Sequence, residues 1–408
     1  MLFRVQRLSA WLLSLTLTAG SAAGCQSTET SPAPVSTTAT TPPPAAPAPA
    51  PVLTGSTLLG EYSPTDLAGR VGNVPLLGSL ARYPIRVYRL TYTTRNVDGR
   101  SITASGALLV PVAPQAVPVI SYQHGTIRPD DEGRAPSYYS PGSELWTAVS
   151  VLAATGYAVA APDYIGYGAS KALPHPYEHA ASLASASADM LRAAREFCAQ
   201  QKVQLNQKNF LLGYSEGGFA TMALHKLLEE KYAQEMPVTA SAPGAGAYHK
   251  SAFAQYILKS DQPLNFLSTY VWVLTTYNWV YDLNRPLSAY FQEPWATRLQ
   301  ADPFSDVPRL PSQLFSAAFR QGVLTGSDAG ITAAFQANDL HDWKPRAPLA
   351  LFHGTQDDYV PFFNSQDAYN AMRARGATQV ELHPIQGGNH FSSVAQYTLE
   401  AFAFISKY

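Results

Sequence analysis

Residues 209–230 have the sequence NFLLGYSEGGFATMALHKLLEE, which is the most informative segment of the chain. It begins with a short apolar run typical of a buried strand and continues as a helical pattern. Between the two lies a GxSxG motif centred on Ser215. A serine on such a tight turn needs small residues two positions before and after it, so that strand and helix can approach each other. The stretch predicts that Ser215 is a nucleophile; the alternative is a glycine-rich turn whose serine only caps a helix.

Short apolar runs alternate with longer helical patterns on both sides of this motif. We expect strands over residues 83–94, 101–112, 117–125, 157–163, 209–215, 238–244, 348–354 and 378–384. We expect helices over residues 143–155, 180–201, 216–233, 363–375 and 391–406. The first two strands are joined by a short turn and should be antiparallel. The later apolar runs are typical of a mostly parallel sheet with helices on both faces, which is an α/β fold.

Residues 245–346 interrupt this alternation and are far longer than one crossover between strands requires. We expect an inserted, mainly helical cap here, with the core formed by residues 55–244 and 347–408. The insertion holds four of the six tryptophans, namely Trp272, Trp279, Trp295 and Trp343. These side chains either line an apolar pocket above the active site or form the core of the cap itself.

A serine hydroxyl needs a base and an acid that orients this base. His390 lies in a glycine-rich loop between the last predicted strand and the last predicted helix, where a catalytic base is expected. The alternative is a loop histidine that only bonds a backbone carbonyl. Two adjacent carboxylates, Asp357 and Asp358, follow the strand over residues 348–354, and both are candidates for the acid.

Together these motifs resemble those of the α/β-hydrolase superfamily, in particular its secretory-lipase-like and exported bacterial esterases. The chain order Ser215, Asp357, His390 is the order found in that superfamily. The likeness covers roughly residues 80–244 and 347–408. It implies the α/β-hydrolase fold, ester cleavage through an acyl-enzyme, and no metal or organic cofactor.

The same resemblance bears on the remaining site residues. Residues 353–361 match the family pattern HGxxDxxVP, which implies that the acid is Asp357. An oxyanion hole is expected to contain the amide of Glu216, at the start of the helix after the nucleophile. The second donor is expected in the loop that follows residues 117–123, either from Gly125 or from Thr126.

Two other functions remain open at this stage. A serine peptidase on the same fold would use the same three residues, because amides and esters share the tetrahedral intermediate. A non-catalytic surface binding protein is the second alternative, although such a protein has no need of all three residues. No HExxH motif and no paired CxxC motif occurs, so we expect no metal site.

The N-terminal part has the pattern of an exported lipoprotein. Residues 1–24 are predicted to be an export signal that ends just before Cys25. This site resembles the bacterial lipobox, except that Ala22 stands where leucine is usual, so ordinary cleavage near Ala23 and an uncleaved anchor remain alternatives. Residues 25–54 are rich in proline, alanine and threonine and predict an extended tether.

The net charge and composition of the chain indicate which kinds of partner to expect. The formal net charge is -1 and the basic residues are scattered, so nucleic acid is not an expected partner. The expected partners are a small-molecule or lipid ester and a membrane reached through a lipid on Cys25. The only other cysteine is Cys198, so an acylated Cys25 leaves no internal disulfide. We expect the Cys198 thiol to be buried and unreactive.

Overall fold

The strands of this protein form one central sheet. The structure, a computed structural model, describes residues 50–72 and 75–408. The strands are β1 Leu53–Tyr62, β2 Ile85–Arg95, β3 Ser101–Pro111, β4 Val117–Gln123, β5 Ala158–Pro162, β6 Leu205–Tyr214, β7 Ala240–Gly244, β8 Leu349–Gly354 and β9 Val380–Ile385. Their order across the sheet is β1-β2-β3-β5-β4-β6-β7-β8-β9.

The two ends of the sheet differ in strand direction. The pairs β1·β2, β2·β3 and β3·β5 are antiparallel, whereas every pair from β5·β4 to β8·β9 is parallel. The parallel strands β5, β7 and β8 are buried along their whole length, as their uninterrupted apolar and small residues require. The predicted α/β sheet, antiparallel at its start and parallel at its centre, is confirmed.

Helices cover both faces of this sheet. The helices are α1 Pro64–Arg70, α2 Pro75–Gly78, α3 Ala148–Ala154, α4 Ala180–Gln200, α5 Glu216–Lys231, α6 Lys250–Lys259, α7 Leu267–Val280, α8 Trp295–Ala301, α9 Pro311–Leu314, α10 Ala317–Thr325, α11 Ala329–Ala337, α12 Phe363–Ala374 and α13 Val394–Ile405. Alternate residues of β6 face opposite layers, as the two-residue period of a strand dictates. Phe210 and Leu212 pack with α3 and α13, whereas Leu211 packs with α4 and α5.

The beginning of the described chain departs from expectation. Strand β1 begins at Leu53, inside the segment 25–54 that was assigned to the tether, and no strand was predicted over residues 53–62. Its sequence LTGSTLLGEY contains two glycines, and most of its residues are only partly buried or exposed. The apolar alternation that marks a half-buried strand is therefore weak here. The predicted signal over residues 1–24 and the lipidation site Cys25 lie outside the described residues.

Helices α6 to α11 lie between β7 and β8, within the segment predicted to be an inserted cap, and are called the cap below. Their interior is aromatic, with Phe253, Tyr270, Phe315 and Phe335 among its buried residues. The chain enters and leaves the cap at one place, since the amide of Leu340 donates to the carbonyl of Tyr248 over 2.8 Å. The cap belongs to the same compact unit as the sheet, which spans Ala50–Tyr408.

Two further features of the helices bear on the expectations above. Cys198 is buried in α4, and this burial raises the pKa of its thiol to about 12, which suits an unreactive side chain. Among the described residues, we find no helix with both the length and the apolar character that a bilayer span requires.

Candidate active site

Ser215 occupies a strained turn between β6 and α5. Its φ is 61° and its ψ is -122°, in a region that side-chain-bearing residues seldom adopt. The turn is tight because neighbouring backbone leaves no room for a side chain at the flanking glycines. A Cβ atom at Gly217 would lie 2.1 Å from the carbonyl oxygen of Gln123, and one at Gly213 would lie 2.4 Å from that of Gly217. The GxSxG spacing therefore follows from close approach of backbone to backbone.

The structure brings the three predicted residues together. His390 Nε2 lies 2.9 Å from Ser215 Oγ, and His390 Nδ1 lies 2.7 Å from Asp357 Oδ2. A carboxylate only accepts hydrogen bonds, so Nδ1 carries the proton and Nε2 is left to accept the one from the serine hydroxyl. This arrangement can draw a proton from Ser215 while the carboxylate holds the ring in the required tautomer.

Of the two adjacent carboxylates, only Asp357 reaches the histidine. Asp357 is buried, and its Oδ1 accepts the amides of Tyr359 and Val360 over 2.9 and 2.8 Å. Asp358 is exposed and accepts a hydrogen bond from the side chain of Asn265 instead, over 2.8 Å. The geometry thus agrees with the choice that the family pattern favoured.

His353 is a second partner of Asp357 that the sequence did not indicate. Its Nε2 lies 3.3 Å from Asp357 Oδ2 and donates to the Val360 carbonyl over 2.7 Å, while Nδ1 accepts from Ser365 Oγ. Burial by itself would raise the pKa of Asp357, but hydrogen bonds from His353 and His390 lower it to about 2. The carboxylate is therefore ionised at neutral pH.

Aromatic side chains fix the position of His390. The ring of Tyr359 stacks on the imidazole at a centroid distance of 5.0 Å, and Phe391 meets it edge-on at 5.4 Å. The hydroxyl of Tyr214 donates to the carbonyl of His390 over 2.8 Å. Tyr214 directly precedes the nucleophile, so this hydrogen bond joins the two loops that carry the serine and the histidine.

The predicted oxyanion donors have different surroundings. The amide of Gly125 already donates to Glu144 Oε1 over 3.1 Å. The amides of Thr126 and Glu216 have no hydrogen-bond acceptor among the described residues, and Glu216 is the first residue of α5. The geometry therefore favours Thr126 and Glu216 as the pair of amides free to stabilise a negative oxygen.

Glu144 holds the loop that contains Thr126. Its Oε1 accepts the Gly125 amide, and its Oε2 accepts the hydroxyl of Tyr122 over 2.7 Å. On the other side of the loop, the ring nitrogens of His124 contact two backbone carbonyls. Nothing in the sequence marked Glu144, because it reaches this loop only through the tertiary fold.

The side chain of Glu216 has a role separate from its amide. Its Oε1 lies 2.8 Å from His175 Nε2, and both side chains are almost completely buried. His175 Nδ1 donates to the Ile165 carbonyl over 2.7 Å, so one proton is shared between Nε2 and Glu216. This pair links the residue after the nucleophile to the loop that follows β5, and no sequence motif indicated it.

A cavity of about 560 Å³ opens beside Ser215 and His390. Cap and core both contribute apolar side chains to its wall: Val149, Leu152, Trp272, Phe304, Phe391 and Val394. The wall also contains four charged side chains, those of Arg128, Asp131, Arg134 and Glu144. Of the four cap tryptophans, only Trp272 lines this cavity. Trp295 packs against the cap interior, whereas Trp343 packs against residues of α5 and α12, so neither interpretation fits all four tryptophans.

The sequence profile of the alpha/beta hydrolase family matches residues 124–403. The chain belongs to the alpha/beta hydrolase family. The match spans the GxSxG turn and both loops that carry His390 and Asp357. No curated protein matches this alpha/beta hydrolase by sequence.

Solved structures of other alpha/beta hydrolases resemble this one over most of its length. A Legionella pneumophila protein assigned as a hydrolase is 27% identical, with a TM-score of 0.79 over 87% of this chain and 98% of its own. The rice cell wall degrading esterase LipA from Xanthomonas oryzae is also 27% identical, with a TM-score of 0.73 over 86% of this chain and 96% of its own. Candida antarctica lipase A, at 16% identity and a TM-score of 0.60, shares the fold over 86% of this chain and 82% of its own. These neighbours support ester hydrolysis as the general class of reaction.

Proposed function

We propose that this alpha/beta hydrolase is a serine esterase that cleaves carboxylic esters of small molecules through a covalent acyl-enzyme. One observation carries the proposal: Ser215, His390 and Asp357 form a continuous chain of hydrogen bonds beside a cavity of about 560 Å³. A hydroxyl bonded to an imidazole, which is itself bonded to a buried carboxylate, is the arrangement that activates a serine for acyl transfer.

In the first half of the proposed reaction, Ser215 Oγ attacks the ester carbonyl carbon while His390 Nε2 takes the hydroxyl proton. The carbonyl oxygen becomes negative and is stabilised by the amides of Thr126 and Glu216. The imidazolium is stabilised by Asp357, whose lowered pKa keeps it ionised. His390 then returns the proton to the alkoxide, so that an alcohol leaves and an acyl-serine ester remains.

In the second half, a water molecule takes the place of the departed alcohol. His390 Nε2 removes its proton as the oxygen attacks the acyl carbon, and the same two amides stabilise the second tetrahedral intermediate. Collapse of this intermediate breaks the bond to Ser215 Oγ, which takes back the proton from His390. The products are a carboxylic acid and the free enzyme.

The cavity supports small, partly apolar esters as substrates. Its volume lies within the range of sites that enclose a small organic molecule. Trp272 and Phe304 from the cap and Phe391 beside the base offer aromatic surface to an acyl or aryl group. The esterase among the solved neighbours supports an ester rather than an amide as the bond that is cleaved.

A fluorophosphonate probe tests the nucleophile. We expect the purified protein to be labelled on Ser215, and we expect Ser215→Ala to abolish this labelling. Ser268→Ala is a matched control, because Ser268 also lines the cavity but forms no hydrogen bond with a histidine among the described residues. Labelling that persists in Ser215→Ala would contradict the assignment.

A substrate panel tests the class of reaction. Turnover is measured on p-nitrophenyl esters of increasing acyl length, beside an aminopeptidase substrate. We expect an optimum at short acyl chains and no cleavage of the amide. An optimum at long chains with activation at an oil–water interface would identify a lipase, and efficient amide cleavage would identify a peptidase.

We also propose, from the sequence alone, that the chain is exported and held at a membrane by a lipid on Cys25. The proline-rich stretch after Cys25 would act as a spacer between the lipid and the folded enzyme. Metabolic labelling with an alkyne fatty acid should mark the wild-type protein and not Cys25→Ala, and the variant should move to the soluble fraction. Equal fractionation of the two proteins would contradict the proposal.

A further inference from the structure

A cluster of metal-ligating side chains lies at the base of the cap, outside the cavity of the active site. His249 stands where the chain enters α6, and Asp339 and His341 follow α11, where the chain leaves the cap. One nitrogen or oxygen atom from each of the three lies within 4.8 Å of the other two. None of the three lines the cavity beside Ser215.

His249 is oriented by the core of the enzyme. Its Nδ1 lies 2.8 Å from Asp367 Oδ2, and Asp367 belongs to α12. Its backbone amide donates to the side chain of Asn364, also on α12. Its Nε2 has no hydrogen-bond partner among the described residues. A histidine that binds a metal through one nitrogen usually donates the other N–H to a carboxylate, and His249 already has such a partner.

His341 lies directly against His249. The two imidazoles are stacked at a centroid distance of 3.6 Å with an angle of 18° between the rings. His341 Nδ1 is buried and has no hydrogen-bond partner among the described residues. A buried nitrogen without a partner is costly unless something binds it.

Asp339 supplies the carboxylate. Its Oδ1 accepts the amide of Ser251 over 3.0 Å, and its Oδ2 accepts the hydroxyl of the same residue over 2.6 Å. These bonds fix the carboxylate and leave each oxygen with capacity for a further contact. The cluster therefore has two imidazoles and one oriented carboxylate, each supported by a neighbouring group.

We propose that His249, His341 and Asp339 bind one zinc ion that fastens both ends of the cap to helix α12. Two nitrogens and one oxygen suit zinc, whereas calcium and magnesium prefer six or more oxygen ligands. Tetrahedral zinc holds its ligand atoms roughly 3.3 Å apart, so the side chains must close by about 1.5 Å. Because the lone pairs of imidazole lie in the ring plane, the two stacked rings must also turn until their nitrogens point at the same ion. A water molecule would complete the four ligands.

The role of this ion is structural and separate from ester cleavage. Zinc would hold residues from the beginning and the end of the cap, and Asp367 would link His249 to the core. The absence of any HExxH or CxxC motif led us to expect no metal. The ligands are brought together only because the two ends of the cap meet, so no local spacing reveals them.

Zinc titration of the full chain tests the proposal. After dialysis against a chelator, isothermal titration should give one zinc per chain with a Kd below about 1 µM. Saturating zinc should raise the unfolding temperature, because it binds only the folded state. Magnesium and calcium at the same concentration should leave this temperature unchanged.

Variants assign the ligands. His341→Ala and Asp339→Asn should each weaken zinc binding at least 100-fold, and Asp367→Asn should weaken it about 10-fold. His383→Ala is the control, because His383 is a partly exposed histidine paired with Glu381 far from the cluster in sequence. Absence of saturable binding, or equal binding by His341→Ala and the wild type, would overturn the proposal.

Spectroscopy of the wild-type protein tests the zinc ligands even if a variant fails to fold. X-ray absorption of the zinc-loaded wild-type protein should show two imidazole ligands, with nitrogen and oxygen bonds near 2.0 to 2.1 Å. A spectrum with fewer than two imidazoles would overturn the assignment. The rate of ester cleavage is expected to be the same with and without zinc at 25 °C, so this test is independent of the proposed reaction.

Discussion

His390 and Asp357 are joined by a 2.7 Å contact between Nδ1 and Oδ2. Asp357 comes from the loop after β8 and His390 from the loop after β9, and β8 and β9 are adjacent parallel strands. Because the carboxyl ends of these strands lie at one edge of the sheet, the acid and the base meet without any contribution from the cap. The core alone therefore positions His390 and Asp357 relative to each other.

Replacing Asp357 and Asp358 one at a time should show which of them is the catalytic acid. Asp357→Asn should lower kcat about 10³- to 10⁴-fold, because the amide no longer holds the required tautomer of His390. Asp358→Asn should stay within about threefold of the wild type, since Asp358 contacts only Asn265. Steady-state kinetics on a p-nitrophenyl ester measures both. An inactive Asp358→Asn would mean that Asp357 is not the acid.

The lowered pKa of Asp357 predicts a pH dependence of stability. Its pKa falls from an ordinary value of 3.8 to about 2 in the folded protein, so ionised Asp357 stabilises the fold above pH 4 and this contribution is lost as the pH falls towards 2. The difference in unfolding free energy between wild type and Asp357→Asn should therefore shrink by about 2 kcal/mol between pH 6 and pH 2. Urea unfolding of both proteins at several pH values measures this difference in free energy. A difference that does not change with pH would contradict the prediction.

The glycines around Ser215 should not tolerate a methyl group. Gly217→Ala would place Cβ 2.1 Å from the carbonyl of Gln123, and we expect a loss of about 1–3 kcal/mol in stability and at least 100-fold in activity. Gly133→Ala is the matched control, because a Cβ there meets nothing within 4 Å. Thermal unfolding and ester turnover are measured on both. Wild-type behaviour of Gly217→Ala would mean that the turn is more open than described.

The buried pair of His175 and Glu216 should matter for stability. His175→Ala leaves a carboxyl group buried without a partner, and we expect a loss of about 3–5 kcal/mol. The double variant His175→Ala/Glu216→Gln should recover part of this loss, because no charge is left behind. Urea unfolding gives both values. If the double variant is the less stable of the two, the pair does not behave as a buried ion pair.

Phe391 should affect the substrate and not the fold. Its side chain is 74% exposed yet lines the cavity beside His390. Phe391→Ala should raise KM for esters with aryl or longer acyl groups about tenfold, with little change in unfolding temperature. Leu76→Ala removes a side chain that is 65% exposed and does not line the cavity, and should leave KM unchanged. If the KM of Phe391→Ala equals that of the wild type, the apolar group of the ester binds elsewhere in the cavity.

The sequence predicted the parts of the fold and site that depend on local pattern. The apolar runs of β5, β7 and β8 are buried along their whole length and were recognisable for that reason. Ser215 and His390 lie at glycine-rich turns with a clear position between a strand and a helix. Strand β1 was missed because it is glycine-containing and largely exposed. The contact of Glu144 with Gly125 could not be predicted, since it joins segments 19 residues apart that meet only in the folded chain. His353 and Asp357 are only four residues apart, but their contact depends on how the chain turns after β8.

The backbone hydrogen bond between Leu340 and Tyr248 closes the base of the cap. The two ends of the cap segment therefore lie next to each other. Such a segment can be lengthened, shortened or exchanged by recombination without moving the strands that carry the serine, the aspartate and the histidine. One catalytic core could in this way acquire a new substrate range by receiving a different cap. For protein engineering, Tyr248 and Leu340 are therefore the positions at which a different cap should be joined to the core.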